Sequence, residues 1–384
     1  MAVSVLIMKK AIPFLLIFCL LFPLCACTVS SAAYKTYGKY EITENQYKYW
    51  TAYYKARFFS SVTQYGYVVS DGYNEAIWDE KGEDGKTLGE QVREYVDKMI
   101  NEMLVGSALY DGSELYNDKE NRELLKQTVD ELVQKDLTNA GSRGELNAIL
   151  GKYGMNIDVL RRVYEFETRA MSVSDKLFGE GGEYAVTDEE REDYYQKNYS
   201  RVKHILIKNE EKYVLDEKGD PVMDVYTGRY KTEPLTDEEK AEKRKTAEEA
   251  YEKAKSGGDF EKLSEEYNED GGMTAYTDGY FISDDTLLDE NYVKTAVGLE
   301  VGEAALVETL YGLMVIKKYA LEPGLWADEK NAVFFSSMDG NIRENKKAEY
   351  YEKYTAEIKT SPDIKPEEIF KNTEPLDSRL LPSS

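Results

Sequence analysis

Two residues carry most of the chemistry this sequence can offer: His204, its only histidine, and Cys27, the last of its three cysteines. His204 lies in Arg201-Val202-Lys203-His204-Ile205-Leu206-Ile207, whose alternation and β-branched content predict a strand. One imidazole, with no second histidine and no cysteine beyond position 27, cannot complete a transition-metal site, so no metal or other cofactor is expected. The acidic run Asp284-Asp285 with Asp289-Glu290 lacks the loop glycine and ligand spacing of a calcium site and reads as a solvated face. Cys27 closes Leu24-Cys25-Ala26-Cys27, after Lys9-Lys10 and an uncharged apolar run over 11–24. That run suits the core of an export signal better than a membrane span, which needs ~20 apolar residues. The pattern is a lipobox: the thiol is the nucleophile that takes a diacylglycerol, and cleavage after residue 26 leaves it as the new N-terminus. Met8-Lys9-Lys10 has the form in which such signals usually begin. The other reading is an uncleaved anchor helix. In either case the body is expected outside the cytoplasm, held to the cell membrane by lipid on Cys27 or by that helix.

These residues must be carried by a chain of 384 residues with a formal net charge of −24, enough for two or three domains. So acidic a protein is not expected to bind nucleic acid or lie on anionic lipid, both of which need basic patches. Cys19 and Cys25 fall within the signal, so the mature chain must fold without a disulfide. Its 32 tyrosines suit either a surface that grips varied peptides or half-buried helix faces.

Along the chain, residues 27–40 read as a tether and 41–182 as an all-helical domain. Thr43-Glu44-Asn45-Gln46 is a capping box, followed by Tyr47, Trp50, Tyr54 and Phe58 at helical spacing. Gly179-Glu180-Gly181-Gly182 is a linker, and a second capping box, Thr187 to Glu190, opens a connecting helix within 183–200. A mixed region over 201–320 follows, with an extra hairpin at about 209–235. Helix returns over 321–360, and prolines at 362, 366, 375 and 382 predict an extended tail over 361–384.

From His204 onward, several segments resemble the parvulin-type peptidyl-prolyl isomerases. Val202-Lys203-His204-Ile205-Leu206-Ile207 is similar to the family's first strand, and Gly258-Asp259-Phe260-Glu261-Lys262-Leu263-Ser264 to its helix junction. Asp278-Gly279-Tyr280-Phe281, Leu299-Glu300-Val301-Gly302-Glu303 and Tyr311-Gly312-Leu313-Met314-Val315-Ile316-Lys317 follow in the family's order. With a lipobox and flanking helices, the whole resembles the PrsA-like foldase lipoproteins, whose helical parts resemble those of SurA-like chaperones. The resemblance implies an α+β protein in which N- and C-terminal helices build one all-α chaperone domain, with a parvulin (FKBP-like) α+β domain inserted. It implies a rotamase acting on unfolded or proline-containing exported polypeptides, and it leaves room for a homodimer.

The same resemblance assigns the site. His204 takes the catalytic histidine's place, Thr277 the acidic or cysteine position, and Met314 the place of a second histidine. Leu288 and Tyr292 align with the proline pocket, beside Tyr280 and Phe281. His204 either orients the pocket through a hydrogen bond to Thr277 or Tyr280, or is a satisfied strand histidine. Because Thr277 and Met314 depart from the family pattern, weak isomerase activity is expected. The alternatives are a catalytically inactive holdase and an envelope scaffold.

Overall fold

The computed structural model describes residues 31–64, 75–82 and 84–381, and Cys27 lies outside them. The chain divides into two compact units, 1–183 with 347–384, and 184–346.

The first unit opens with a hairpin, β1 (Ala33–Tyr37) and β2 (Tyr40–Thr43), which feeds α1 (Glu44–Gln64). The predicted cap is present: Gln46 Oε1 accepts from the Thr43 amide at 2.8 Å. Helices α2 (Leu88–Asp111), α3 (Glu114–Asn117), α4 (Lys119–Ala140), α5 (Arg143–Gly151) and α6 (Ile157–Phe178) follow. Helices α2 and α6 cross closely because Gly106 has no Cβ; one there would sit 2.8 Å from the Ala170 Cα.

The second unit begins with α7 (Asp188–Asn198), then β3 (Ser200–Ile207), β4 (Glu211–Tyr213), β5 (Thr232–Pro234), α8 (Asp237–Lys255), α9 (Phe260–Tyr267), α10 (Gly272–Ala275), β6 (Tyr280–Ile282), α11 (Glu290–Gly298), β7 (Ala304–Thr309) and β8 (Gly312–Tyr319). Four of these strands form an antiparallel sheet in the order β6-β3-β8-β7. Strand alternation sends Ile205, Ile207, Leu313 and Val315 toward α8 and α9. It sends Val202, Leu206, Met314 and Ile316 to the face covered by α11. The 209–235 insert is a small antiparallel meander in which β4 pairs with β5. The predicted connecting helix is part of this unit: Tyr195 of α7 packs with Phe281, Phe335 and Met338.

Helix α12 (Met338–Thr355) contains the boundary at 346/347, and β9 (Lys359–Thr360) and α13 (Pro366–Asn372) complete the first unit. Three expectations need correction here. The helical unit is not all-α, because β9 joins β1 and β2 in a three-stranded sheet. The described part of the tether is structured: Tyr34 is 2% exposed and its hydroxyl donates to Asp97 at 2.7 Å. Nor is 361–381 an extended tail, for Ile369, Phe370, Leu376 and Leu380 are buried in this unit. Pro366 begins α13 in its first turn, where a missing N–H costs nothing. Lys55 of α1 holds the end of α13, donating to the carbonyls of Phe370 at 2.6 Å and Thr373 at 2.9 Å. Burial pulls that ammonium down to about 8.

Candidate active site

His204 sits mid-strand on β3, on the same face as Val202 and Leu206, and is buried. Both ring nitrogens are engaged. Nε2 lies 2.9 Å from Asp270 Oδ2, and Nδ1 lies 2.9 Å from the Tyr292 hydroxyl. A carboxylate can only accept, so Nε2 carries a proton; in the neutral ring Nδ1 then accepts from Tyr292. The imidazole beside it holds the Asp270 carboxyl below the usual carboxylate range. Burial pushes the Tyr292 hydroxyl far above its ordinary value, so it stays a donor. Tyr280 stacks on the imidazole, with centroids 5.2 Å apart and an interplanar angle of 9°. Tyr292 meets the same ring edge-on at 5.4 Å.

Asp270 reaches His204 through a loop clamp. After α9 ends, the Asn268 side chain accepts from the Leu206 amide at 2.8 Å, and the Glu269 amide donates to the Leu206 carbonyl at 2.8 Å. This stitches the loop to β3 and sets the next residue beside the imidazole. Gly279 lets the chain return to the sheet: its φ is +97°, and a Cβ there would lie 2.4 Å from the Val202 carbonyl oxygen.

Around the imidazole is a cavity of about 230 Å³ lined by His204, Leu206, Asp270, Tyr280, Leu288, Tyr292, Tyr311 and Met314. Of the residues assigned from the sequence, His204, Tyr280, Leu288, Tyr292 and Met314 therefore come together. Two do not. Thr277 is exposed on the loop after α10, outside the cavity, and the carboxylate that meets the histidine is that of Asp270. Phe281 is 1% exposed in the cluster around Tyr195 and Phe335, because strand alternation turns it away from Tyr280 and Ile282. The hydrogen-bond partners of His204 are likewise Asp270 and Tyr292, neither Thr277 nor Tyr280. Asp278 faces elsewhere, toward Lys330 at 2.8 Å and Asn331 at 3.0 Å. The available signal for Asp270 was Asn268-Glu269-Asp270-Gly271-Gly272, a cap-and-turn sequence just past a helix end.

Residues 189–320 match the PPIC-type PPIASE domain family. This segment is a parvulin-type peptidyl-prolyl isomerase domain. The chain is 33% identical over 103 residues to the foldase protein PrsA of Bacillus subtilis, a match over 27% of this chain and 35% of that protein. It thus spans about a third of the curated relative's length. Among solved structures, PrsA from Bacillus subtilis is 20% identical, with 78% of this chain and 94% of that chain covered and a TM-score of 0.23. PrsA from Bacillus cereus is 18% identical, with 80% and 96% covered and a TM-score of 0.29. The isomerase domain has Met314 in its closing strand, and its one imidazole is held by a carboxylate and a phenol.

Proposed function

We propose that the protein is a lipid-anchored, extracytoplasmic folding factor that isomerises X–Pro bonds in exported polypeptides. The observation that carries this reading is the mostly apolar cavity around His204, lined by Leu206, Leu288, Tyr292 and Met314, which would receive a proline ring. Turning an X–Pro bond breaks no covalent bond, but the uncatalysed barrier is ~18–20 kcal/mol. A catalyst need only bind the twisted amide, which has lost its resonance and is less polar, better than the planar one. An apolar cleft that takes the carbonyl out of water does this. His204, pinned on both nitrogens, acts as a fixed wall and hydrogen-bonding edge rather than as an acid or base.

The test is cis/trans exchange of a short X–Pro peptide panel with the full chain and a Leu288→Ala variant. Acceleration by the parent that falls roughly tenfold in the variant, or ~1.4 kcal/mol, supports the enzyme. Met314 in place of a second histidine favours a second reading, a holdase whose isomerase domain only binds. Folded protein that suppresses client aggregation but accelerates no peptide would establish that instead. For the anchor, Cys27→Ser should release the chain from membranes and remove a diacylglycerol mass from its N-terminal fragment.

A further inference from the structure

The helical unit contains a second cavity, of about 420 Å³, that the isomerase reading does not use. Four helices build it by helical spacing. Helix α1 contributes Tyr49, Tyr53 and Tyr54, and α2 contributes Met99, Glu102 and Met103. Helix α4 contributes Leu132, Lys135 and Asp136, and α6 contributes Tyr164, Glu167 and Met171. Lys347 and Tyr351, from the part of α12 in this unit, also line it.

Glu167 is the group that calls for a ligand. The Trp50 indole N–H donates to its Oε1 at 2.8 Å, and no other described residue donates to this carboxylate. Burial pushes Glu167 up to about 7, with the nearby Asp136 adding to the rise. Every charged group facing the cavity can be accounted for. The Tyr164 hydroxyl donates to Asp136, whose carboxyl is also raised by burial. Lys347 pairs with Glu102 at 3.4 Å. Lys135 is exposed. Among the described residues, no cation pairs with Glu167.

An anionic guest would meet three carboxylates. A neutral apolar guest would fit the tyrosines and methionines but leave Glu167 desolvated and uncompensated. A cation offsets that charge, and its carbon stem gains the tyrosine faces as well. We propose that this cavity binds a primary ammonium group on an aliphatic stem, ion-paired to Glu167 among the tyrosines of α1 and α6. The chemistry is that of a lysine side chain or of a free alkylamine. The site stands whether or not the isomerase pocket is active.

The test uses the full chain and three probes: n-butylamine, n-butanol of the same length, and a short Gly-Lys-Gly peptide. Titration calorimetry should show butylamine affinity rising about tenfold from pH 6 to pH 8, as Glu167 loses its proton, with n-butanol far weaker and insensitive to pH. The Trp50 indole N–H resonance should shift with the amine, because that N–H is bonded to Glu167. Glu167→Gln should weaken the amine at least tenfold and flatten its pH dependence. Binding of both amine and peptide would assign the site to lysine side chains, and binding of the amine alone to small free amines. Equal affinity for n-butanol, pH-independent amine binding, or an unmoved Trp50 resonance would each overturn the proposal. The alcohol comparison is made on the unmodified chain and does not depend on the variant folding.

Discussion

The two cavities are built from similar parts and differ in how their titratable group is satisfied. In the isomerase domain, His204 is flanked by tyrosines and both of its nitrogens are taken, by Asp270 and by Tyr292. In the helical unit, Glu167 is also flanked by tyrosines, but Trp50 is its one donor among the described residues. A group satisfied within the protein can hold a shape, because moving it would leave buried partners unpaired. A group left with spare capacity can hold a ligand. One pocket therefore looks made to select a conformation, and the other to supply a counter-charge.

The largest expected effect comes from removing a wall of the first pocket. Tyr292 is 3% exposed, so Tyr292→Ala should cost about 3–5 kcal/mol in denaturant unfolding of the isomerase domain and abolish peptide isomerisation. A smaller loss would mean that α11 collapses onto the sheet without that ring.

Next is the pH dependence of the helical unit's stability, where the sign is informative. Glu167 is raised from 4.5 to about 7 in the folded chain. Between those values the folded state keeps a proton that the unfolded chain has lost, so stability should fall as pH rises through this window, by at most about 3 kcal/mol. Thermal unfolding followed from pH 4.5 to 7.5 measures this, and Glu167→Gln should flatten the slope. A slope unchanged in that variant would remove Glu167 from the contrast.

Asp270→Asn should lower kcat/KM for X–Pro peptides about tenfold, equivalent to ~1.4 kcal/mol, while leaving peptide affinity nearly intact. Because the carboxyl of Asp270 lies below the usual carboxylate range, its contribution to the parent's activity should persist into more acidic solution than that of an unpaired carboxylate. The smallest effect is expected from Tyr292→Phe, which keeps the ring and removes only the donor to Nδ1. It should cost about 1 kcal/mol and shift the imidazole resonances in NMR. If it matched Tyr292→Ala in activity, the hydroxyl rather than the ring would be what the pocket needs.

What the sequence determined by itself lies in short-range patterns. Alternation over 201–207 placed His204, Leu206 and Val202 on one face of a strand, since a strand's side chains repeat every second residue. The box at Thr187 caps the helix it was expected to open, because a cap needs only four neighbouring residues. The glycines at 179, 181 and 182 mark the end of the helical stretch next to the division at 183/184. Tyr280 and Phe281 show where such patterns stop: the motif named both, and only the register of β6 against β3 decided that Tyr280 faces the histidine. Asp270 lies 66 residues from His204 and arrives there through the Asn268 clamp, which no local spacing encodes. The second cavity likewise draws Glu167 from α6, Asp136 from α4 and Tyr53 from α1, three helices whose facing sides are set by packing. Helical and strand periods are properties of the backbone and can be read over a few residues. A pocket needs distant segments to close on one another, and that closure is decided by how the whole core packs.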